Sequence, residues 1–541
     1  MERNHFERLG EVLASLKLPG ANNMTIFNSP HADVPLRDIS ITERLFEGLA
    51  LGSDRPMLID GPTGTAYTGA GLRGRIERLA GGLKAHGIGP GSVLALMAPN
   101  MPDYATVFHA VAYAGATVTT INPSYTAPEV AHQLKDSGAE ILITIPAFLP
   151  VAEAAVAGSQ VRQIVVIGGA EGKTSLDDLM GEPLGAQVPV DLDAHVLVLP
   201  YSSGTTGLPK GVMLSHRNLV VNVDQGLALL DVQAGETTVA FLPFFHIYGM
   251  NVLMHSYLSR GAALVTKPRF DREALLRHIQ THRVERLFVA PPVAIAFAKH
   301  PMIDQFDLSS LKVVMSAAAP LGADVAQAVS TRLRCSVIQG YGMTELSPLT
   351  HVVPHHSPRP GAVGVTAPNS RTRIVDPVTG RDCGPNEDGE VWVSGPQVMI
   401  GYLNRPEATA AMITDGWLKT GDLGVVDDDG YLFIRDRLKE LIKVKGFQVA
   451  PAEVEAELLV VPGIADAAVI GVPDDEAGEL PLAFVVRSPG SEISAADIRA
   501  ALKGKLASYK VPQRIEFIDA IPKSAAGKIL RRLLRDRLAA A

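Results

Sequence analysis

The sequence predicts an α/β protein. It has a large N-terminal domain of parallel sheets covered by helices, a small β-barrel-like part, and a small mobile α+β domain at the C-terminus. Three observations carry that reading. Amphipathic helical stretches alternate with short apolar runs as far as about Arg371. Turn signals then crowd together, in DPVTG, NEDGE and DDDG. Beyond Arg437 a third pattern mixes short helices with strands. Strand–helix alternation implies parallel sheets with covered faces, whereas dense turns between short strands imply antiparallel pairing.

The elements follow in order. Phe6, Leu9, Val12, Leu13 and Leu16 fall at helical spacing among charges of both signs. No signal-peptide apolar core accompanies them, and Glu2, Glu7 and Glu11 speak against a transit peptide. Arg73 to His86 predicts a helix, Ser92 to Met97 a buried strand, Tyr104 to Ala114 a helix, and Thr117 to Ile121 a β-branched strand. Further strands are predicted at His195 to Leu199, Leu287 to Ala290, Val313 to Ser316 and Ser336 to Gln339. Toward the C-terminus, helices over Ala452 to Leu459 and Ala495 to Leu506 mix with strands at Ala467 to Gly471, Leu482 to Arg487 and Arg514 to Phe517. The domains divide as 1–436 and 437–541, with the charged run Arg435 to Lys439 as hinge candidate.

Bulk properties bound the function. At 541 residues the chain exceeds what one hydrophobic core supports. Its 47% hydrophobic and 20% charged residues are a globular composition. A net charge of -8 argues against the usual basic nucleic-acid footprint, yet local lysines can still build a phosphate pocket. Cys335 and Cys383 are the two cysteines, too few for a disulfide framework or a cysteine metal cluster, which fits a reducing, cytoplasmic setting. No apolar run reaches spanning length, so a peripheral contact is the membrane association left open.

The chemistry concentrates in five segments. In YSSGTTGLPKG, after an apolar strand, Ser202, Ser203, Thr205 and Thr206 offer hydroxyls. Gly204 and Gly207 let the backbone approach a ligand, and Lys210 adds a positive charge. Such a loop suits a polyphosphate. It is not the Walker pattern, because Gly211 follows the lysine. In QGYGMTE, Gln339 to Glu345, the Tyr341 ring can stack on a purine, Thr344 can donate to a phosphate, and Glu345 is a hard oxygen ligand suited to Mg2+. In LKTGDLG, Asp422 can accept both ribose hydroxyls, and Arg437 can hold the same sugar from the hinge side. Lys439, Lys443 and Lys445 form a basic run that reads equally as a solvated face. Lys528, in PKSAAGKILRR, reads by itself as a surface lysine in a small-residue loop.

YSSGTTGLPKGVMLSHRNL resembles the phosphate-loop signature of the acyl-adenylate-forming superfamily: acyl-CoA synthetases, firefly luciferases and peptide-synthetase adenylation domains. Within it the chain is most similar to 4-coumarate–CoA ligases and related fatty-acyl-CoA synthetases, from about Thr25 to Arg532. The resemblance implies an acid–thiol ligase of phenylpropanoid or fatty-acid metabolism that uses ATP, Mg2+ and coenzyme A. A carboxylate and Mg-ATP give an acyl-adenylate and pyrophosphate; CoA then displaces AMP. It also implies roles. Gln339, Gly340, Tyr341 and Thr344 would hold adenine and the α-phosphate, and Glu345 the metal. Lys439 would be the pivot, Lys443 and Gln448 contacts to the acyl-adenylate, Lys445 and Gly446 contacts to CoA, Arg269 a contact to CoA phosphates, and Lys528 the adenylation lysine.

The acyl pocket is implied in the same way. His246 and Tyr248 follow a strand in FFHIYG, with His246 either a wall at the carboxylate end or a general base. Ala317, Ala318 and Ala319 stand where SGGAPLG is usual, and Val252 where plant members commonly have serine. Both departures favour a less polar acyl group over a 4-hydroxylated ring. Gly342, Pro348 and Leu349 would close the pocket. Three rivals remain: a stand-alone enzyme loading a carrier protein, a luciferase-like oxidative role, and a non-catalytic nucleotide-binding regulator. The last is expected to lack Lys528, Glu345 or Asp422, and all three are present.

Overall fold

The computed structural model describes residues 24–202, 209–445, 447–474, 476–524 and 527–539. Within them, three sheets with parallel cores form the body of the molecule. In the largest, Val198–Ser202, Thr117–Thr120, Val93–Met97, Ile141–Thr144, Gln163–Val166 and Thr174–Ser175 run parallel. Lys210–Met213 and Gly401–Tyr402 extend it antiparallel. A second sheet aligns Thr237–Ala240, Ala263–Thr266 and Pro56–Asp60. A third aligns Arg286–Val289, Val313–Ser316 and Ser336–Gly342. The apolar runs are buried on both faces, as parallel strands under helices must be: Ile141–Thr144 and Val313–Ser316 are buried throughout.

Two strands differ instructively from the sequence reading. The strand begins later than His195, because Asp191 closes a turn onto Asp193 and Ala194 through its carboxylate; Leu197 is the first residue in backbone-to-backbone hydrogen bonds with the neighbouring segments, at Leu214 and Val118. The strand is Val198–Ser202, which delivers Tyr201 and Ser202 rather than ending before them. The run from Ser336 extends to Gly342 and changes partner midway, from parallel pairing with Val313–Ser316 to antiparallel pairing with Leu349–Val352. That switch carries Tyr341 beyond the parallel sheet. The helix His216–Leu230, behind the phosphate loop's sheet, starts on a capping box in which Ser215 and Asn218 satisfy each other's backbone N–H groups.

The turn-dense region forms an antiparallel sheet of Arg371–Val375, Gly389–Ser394, Trp417–Val426, Ile413–Thr414 and Leu432–Arg437. Its outer edge is Phe27–Asn28, paired with Arg371 and Thr372. This corrects the barrel-like expectation: among the described residues the sheet is open, with no pairing that joins its edges. The C-terminal region packs Ile464–Asp474, Gly478–Arg487, Ile442–Val444, Phe447–Val449 and Arg514–Phe517 in one sheet with the helices Pro451–Leu459, Ala495–Leu502 and Arg531–Ala539. The second helix stops short of the predicted Leu506 because Gly504, at φ 84°, turns the chain. The largest core draws on residues from Ile41 to Leu432, and two smaller cores on residues from Ile442 to Leu534. No helix among the described residues is long and apolar enough to cross a membrane.

Candidate active site

A cavity of about 560 Å3 opens where the first and third sheets, the antiparallel sheet and the C-terminal region meet. One wall begins at the two ends of the loop that YSSGTTGLPKG forms. Lys210 and Gly211 pair across from Ser202 and Tyr201, so the two ends of that loop are stitched together. Ser202 and Lys210 line the cavity; Ser203, Gly204, Thr205, Thr206 and Gly207 lie outside the described residues, as does Gly446. Tyr201 donates to Asp136 Oδ2 at 2.8 Å, and a Cβ on Gly211 would sit 3.2 Å from its ring. A side chain there would press on the tyrosine ring, so glycine leaves the loop base unstrained.

Asp422 and Arg437 are cross-strand neighbours, joined at 3.2 Å. The Tyr341 hydroxyl donates to the other Asp422 oxygen at 2.6 Å. Glu390 fixes this corner: its carboxylate accepts the Gly421 N–H at 3.0 Å and the Trp392 indole N–H at 2.8 Å. Burial pushes the Asp422 carboxyl above its ordinary range, opposed by Arg437, the Tyr341 hydroxyl and Lys528. Lys528 lines the cavity from the C-terminal side. Burial brings its ammonium down to about 8, with Arg437 and Arg531 acting in the same direction and Glu440 and Asp422 against.

Glu345 is 3% exposed, lines the cavity, and accepts the Tyr402 hydroxyl at 2.8 Å on Oε1. This fits a Mg2+ ion carried in on a nucleotide, because a hard oxygen ligand lines the cavity and its hydrogen-bond partner is a neutral phenol rather than a cation. Among the described residues no three His, Cys, Asp or Glu side chains gather into a self-sufficient metal site. Mg2+ rarely requires one, since phosphates and water complete its octahedron.

The opposite end of the cavity is apolar. Phe245, Ile247, Val252, Met315, Pro348 and Leu349 line it, with Ala317 and Ala318, with Gly340 and Gly342 from the motif strand, and with Met343 and Thr344 just beyond that strand's end. Gly342 is required by close approach: a Cβ there would lie 1.9 Å from the Pro348 carbonyl oxygen. His246 and Tyr248 stand between the two ends. The Tyr248 N–H donates to His246 Nδ1 at 3.3 Å, which assigns the proton of a neutral ring to Nε2. Burial, then Lys528, lowers the imidazole to about 4, so the ring is neutral near pH 7. In that tautomer the neutral ring offers Nε2–H as a donor. Tyr248 is buried, and its hydroxyl has no hydrogen-bond partner among the described residues.

Several anticipated residues are not brought to the cavity. Gln339 is buried beside it, and its Oε1 accepts the Leu321 N–H at 2.9 Å; it ties down the alanine loop instead of facing a nucleotide. Ala319 turns away from the lining, and Arg269 is exposed outside it. Lys443, Lys445 and Gln448 are exposed on the hairpin Ile442–Val444/Phe447–Val449 and do not reach the cavity in this domain arrangement. Lys439, by contrast, lines its mouth. Sequence reasoning missed Tyr402, Glu390, Lys419, Asn122 and Tyr125. Lys419 stands in LKTGDLG and Glu390 in NEDGE, where attention fell on Asp422 and on the turn; Tyr402, Asn122 and Tyr125 stand in stretches without phosphate-type or paired-charge spacing.

Residues 47–403 match the AMP-binding enzyme family, and residues 453–528 match the AMP-binding enzyme C-terminal domain. The chain belongs to the AMP-binding enzyme family. This AMP-binding enzyme is thereby a member of the acyl-adenylate-forming superfamily, among its AMP-forming acid–thiol ligases. It is 42% identical over 530 residues to 4-coumarate–CoA ligase 5 of Oryza sativa subsp. japonica, covering 95% of this chain and 98% of that one. It is 41% identical over 529 residues to 4-coumarate–CoA ligase 2 of Nicotiana tabacum, covering 95% and 97%. Its fold is similar to that of the anthranilate CoA ligase AuaEII in complex with anthranoyl-AMP, at TM-score 0.87 and 28% identity over 94% of this chain and 99% of that one. ATP-bound MatB from Rhodopseudomonas palustris superposes at TM-score 0.83 and 30% identity, over 92% and 99%.

Proposed function

We propose that this AMP-binding enzyme is an ATP-dependent carboxylate–CoA ligase acting on a cinnamate-type acid. The observation that carries the reading is one cavity with two chemistries. Lys528, Glu345, Tyr341 and Arg437 line it together with an apolar slot, and Asp422, outside the lining, is bonded to both Tyr341 and Arg437. The names of the curated relatives support an aryl acid. So does the buried Tyr248 hydroxyl, which a ring substituent could partner. Val252 and the methyls of Ala317 and Ala318 narrow the slot, favouring a slim, weakly polar ring.

In the first half-reaction the substrate carboxylate attacks the α-phosphate of ATP, and pyrophosphate leaves. Two anions must meet, so placed positive charge and fixed donors supply most of the catalysis. Lys528 offsets the repulsion at the reacting phosphate, and Nε2–H of His246 orients a carboxylate oxygen. Asp422 fixes the ribose hydroxyls and Arg437 holds Asp422. Glu345 would hold a Mg2+ ion brought in with ATP, which would supply neutralising charge for the phosphate oxygens.

In the second half-reaction the CoA thiol displaces AMP. Lys443, Gln448 and Lys445 sit on a different face of the C-terminal region from Lys528, so a rotation about Lys439, with the domain boundary at 436/437, would exchange one set for the other. The contacts to be broken are few in kind. One is the Lys299 ammonium, which donates to the carbonyls of Leu459 and Ile464 at 2.9 and 3.4 Å.

Pyrophosphate release over a panel of cinnamates, benzoates and medium-chain fatty acids, with and without CoA, tests the reading. Release with 4-coumarate or cinnamate, together with a CoA thioester, is expected. Release only with fatty acids would move the substrate to an aliphatic acid. Release without any thioester would favour transfer to a carrier protein, and no release from any acid would end the ligase reading.

A further inference from the structure

Tyr402 lies outside every motif that marked the site, yet it touches both charged groups of the phosphate end. Its hydroxyl donates to Glu345 Oε1 at 2.8 Å, and the Lys210 ammonium stands 5.0 Å from its ring centroid, over the π face. All three residues line the cavity, and Tyr402 is itself 7% exposed. The backbone around it is stitched to both motif segments. Ile400 N–H donates to Met213, Leu403 N–H to Gly211, and Met399 N–H to Glu345, each at 2.9 Å. The strand Gly401–Tyr402 pairs with Lys210–Met213, placing Tyr402 opposite Val212.

We infer that Tyr402 is a positioning residue that holds Glu345 and Lys210 apart and aims both at a cation–triphosphate; this rests on the function proposed above. The chemistry of the side chain explains the choice. A buried carboxylate must be hydrogen-bonded, but a lysine or arginine partner would cancel the charge that a cation needs. A phenol donates one hydrogen bond and leaves the carboxylate its full charge. The same ring offers its negative face to the ammonium. Lys210 is thereby given a resting place other than Glu345, so the two charges do not quench each other before the nucleotide arrives.

Tyr402→Phe keeps the ring and removes the hydroxyl; Tyr402→Leu removes both contacts. The full chain would be titrated with ATP by calorimetry at stepped Mg2+ concentrations, and with AMP without Mg2+. Tyr402→Phe is expected to weaken Mg-ATP binding about tenfold, the usual effect of losing a hydrogen bond to a charged group, and to leave AMP binding within about twofold. Tyr402→Leu is expected to weaken ATP binding without Mg2+ as well. In the Glu345→Gln background, Tyr402→Phe should cause little further loss, because the coupled partner is already gone. Unchanged Mg-ATP binding in Tyr402→Phe, equal weakening of AMP and Mg-ATP, or full additivity with Glu345→Gln would each overturn the inference. Failure of the wild type to activate any acid would overturn the ligase reading alone, because the binding measurements require no acid.

Discussion

Ala318 sits at φ 75°, in the left-handed region where a Cβ is strained, on the floor of the acyl slot. Its methyl therefore costs stability and also narrows the cavity. Ala318→Gly is expected to raise unfolding stability by about 1 kcal/mol, read from the denaturant midpoint, and to improve kcat/KM for ring-substituted acids over unsubstituted ones. Tyr248 offers the complementary test. Removing its unpartnered hydroxyl in Tyr248→Phe should leave stability unchanged or slightly improved. If the substrate carries a ring hydroxyl, KM for that acid should rise about tenfold with KM for ATP unaffected. The sequence exposed the alanine and tyrosine by their motif positions. The left-handed backbone and the orphaned hydroxyl belong to the folded chain, since both depend on what surrounds these residues.

At the scale of elements, the helix Pro451–Leu459 begins without a side-chain cap of its own, since Ala450 precedes it. Asp436, on the strand Leu432–Arg437, supplies the missing acceptor to the Ala452 N–H at 2.8 Å. Asp436→Ala should cost about 1 kcal/mol, with faster hydrogen exchange confined to that helix and its neighbours. The proposed function assigns Lys528, in the same C-terminal region, to the first half-reaction. Lys528→Ala should abolish pyrophosphate release yet leave thioester formation from supplied acyl-AMP largely intact; equal loss of both would refute the use of two faces. Its ammonium titrates near 8 in the free protein because burial opposes its charge. The protonated form is the one that offsets phosphate charge, so kcat/KM for ATP should fall as pH rises through 8. Lys528→Arg, which stays charged, should remove that limb. The sequence located Lys528 and the hairpin lysines through their resemblance to a family. It did not show that one faces the cavity while the others face water, because that depends on how the hinge is set.

Across the whole molecule, buried histidines set the response to acid. Burial lowers His216, His255 and His351 to about 3 and His246 to about 4, against an ordinary value of 6.5. These rings bind protons more readily in the unfolded chain. Their contribution is therefore complete above pH 6.5 and is lost as pH falls toward 4. Glu455 acts oppositely: burial raises it to about 7, so its contribution is present below 4.5 and lost as pH rises toward 7. Among the described residues nine lowered histidines outnumber the four raised carboxyls Glu236, Asp422, Asp436 and Glu455, and the thermal midpoint should fall as pH drops from 6.5 to 4. His351 accepts or donates to Thr350 and Thr372 within a closed polar pocket. In His351→Gln the pH slope of stability should shrink by about one proton.

The sequence by itself determined the alternation that makes parallel sheets, the turn-dense change of style near Arg371, and the segments that carry Ser202, Lys210, Tyr341, Glu345, Asp422 and Lys528. Local pattern is enough for these, because periodicity, turn chemistry and loop composition act within a dozen residues. Only the tertiary structure decided that Tyr341 holds Asp422 across 81 residues, that Tyr402 holds Glu345 across 57, and that Phe27–Asn28 edges a sheet begun at Arg371. Contacts between distant segments leave no periodic trace in a single chain. They are fixed by the packing of sheets and by the hydrogen bonds that buried polar groups must find, and those partners exist only once the chain has folded.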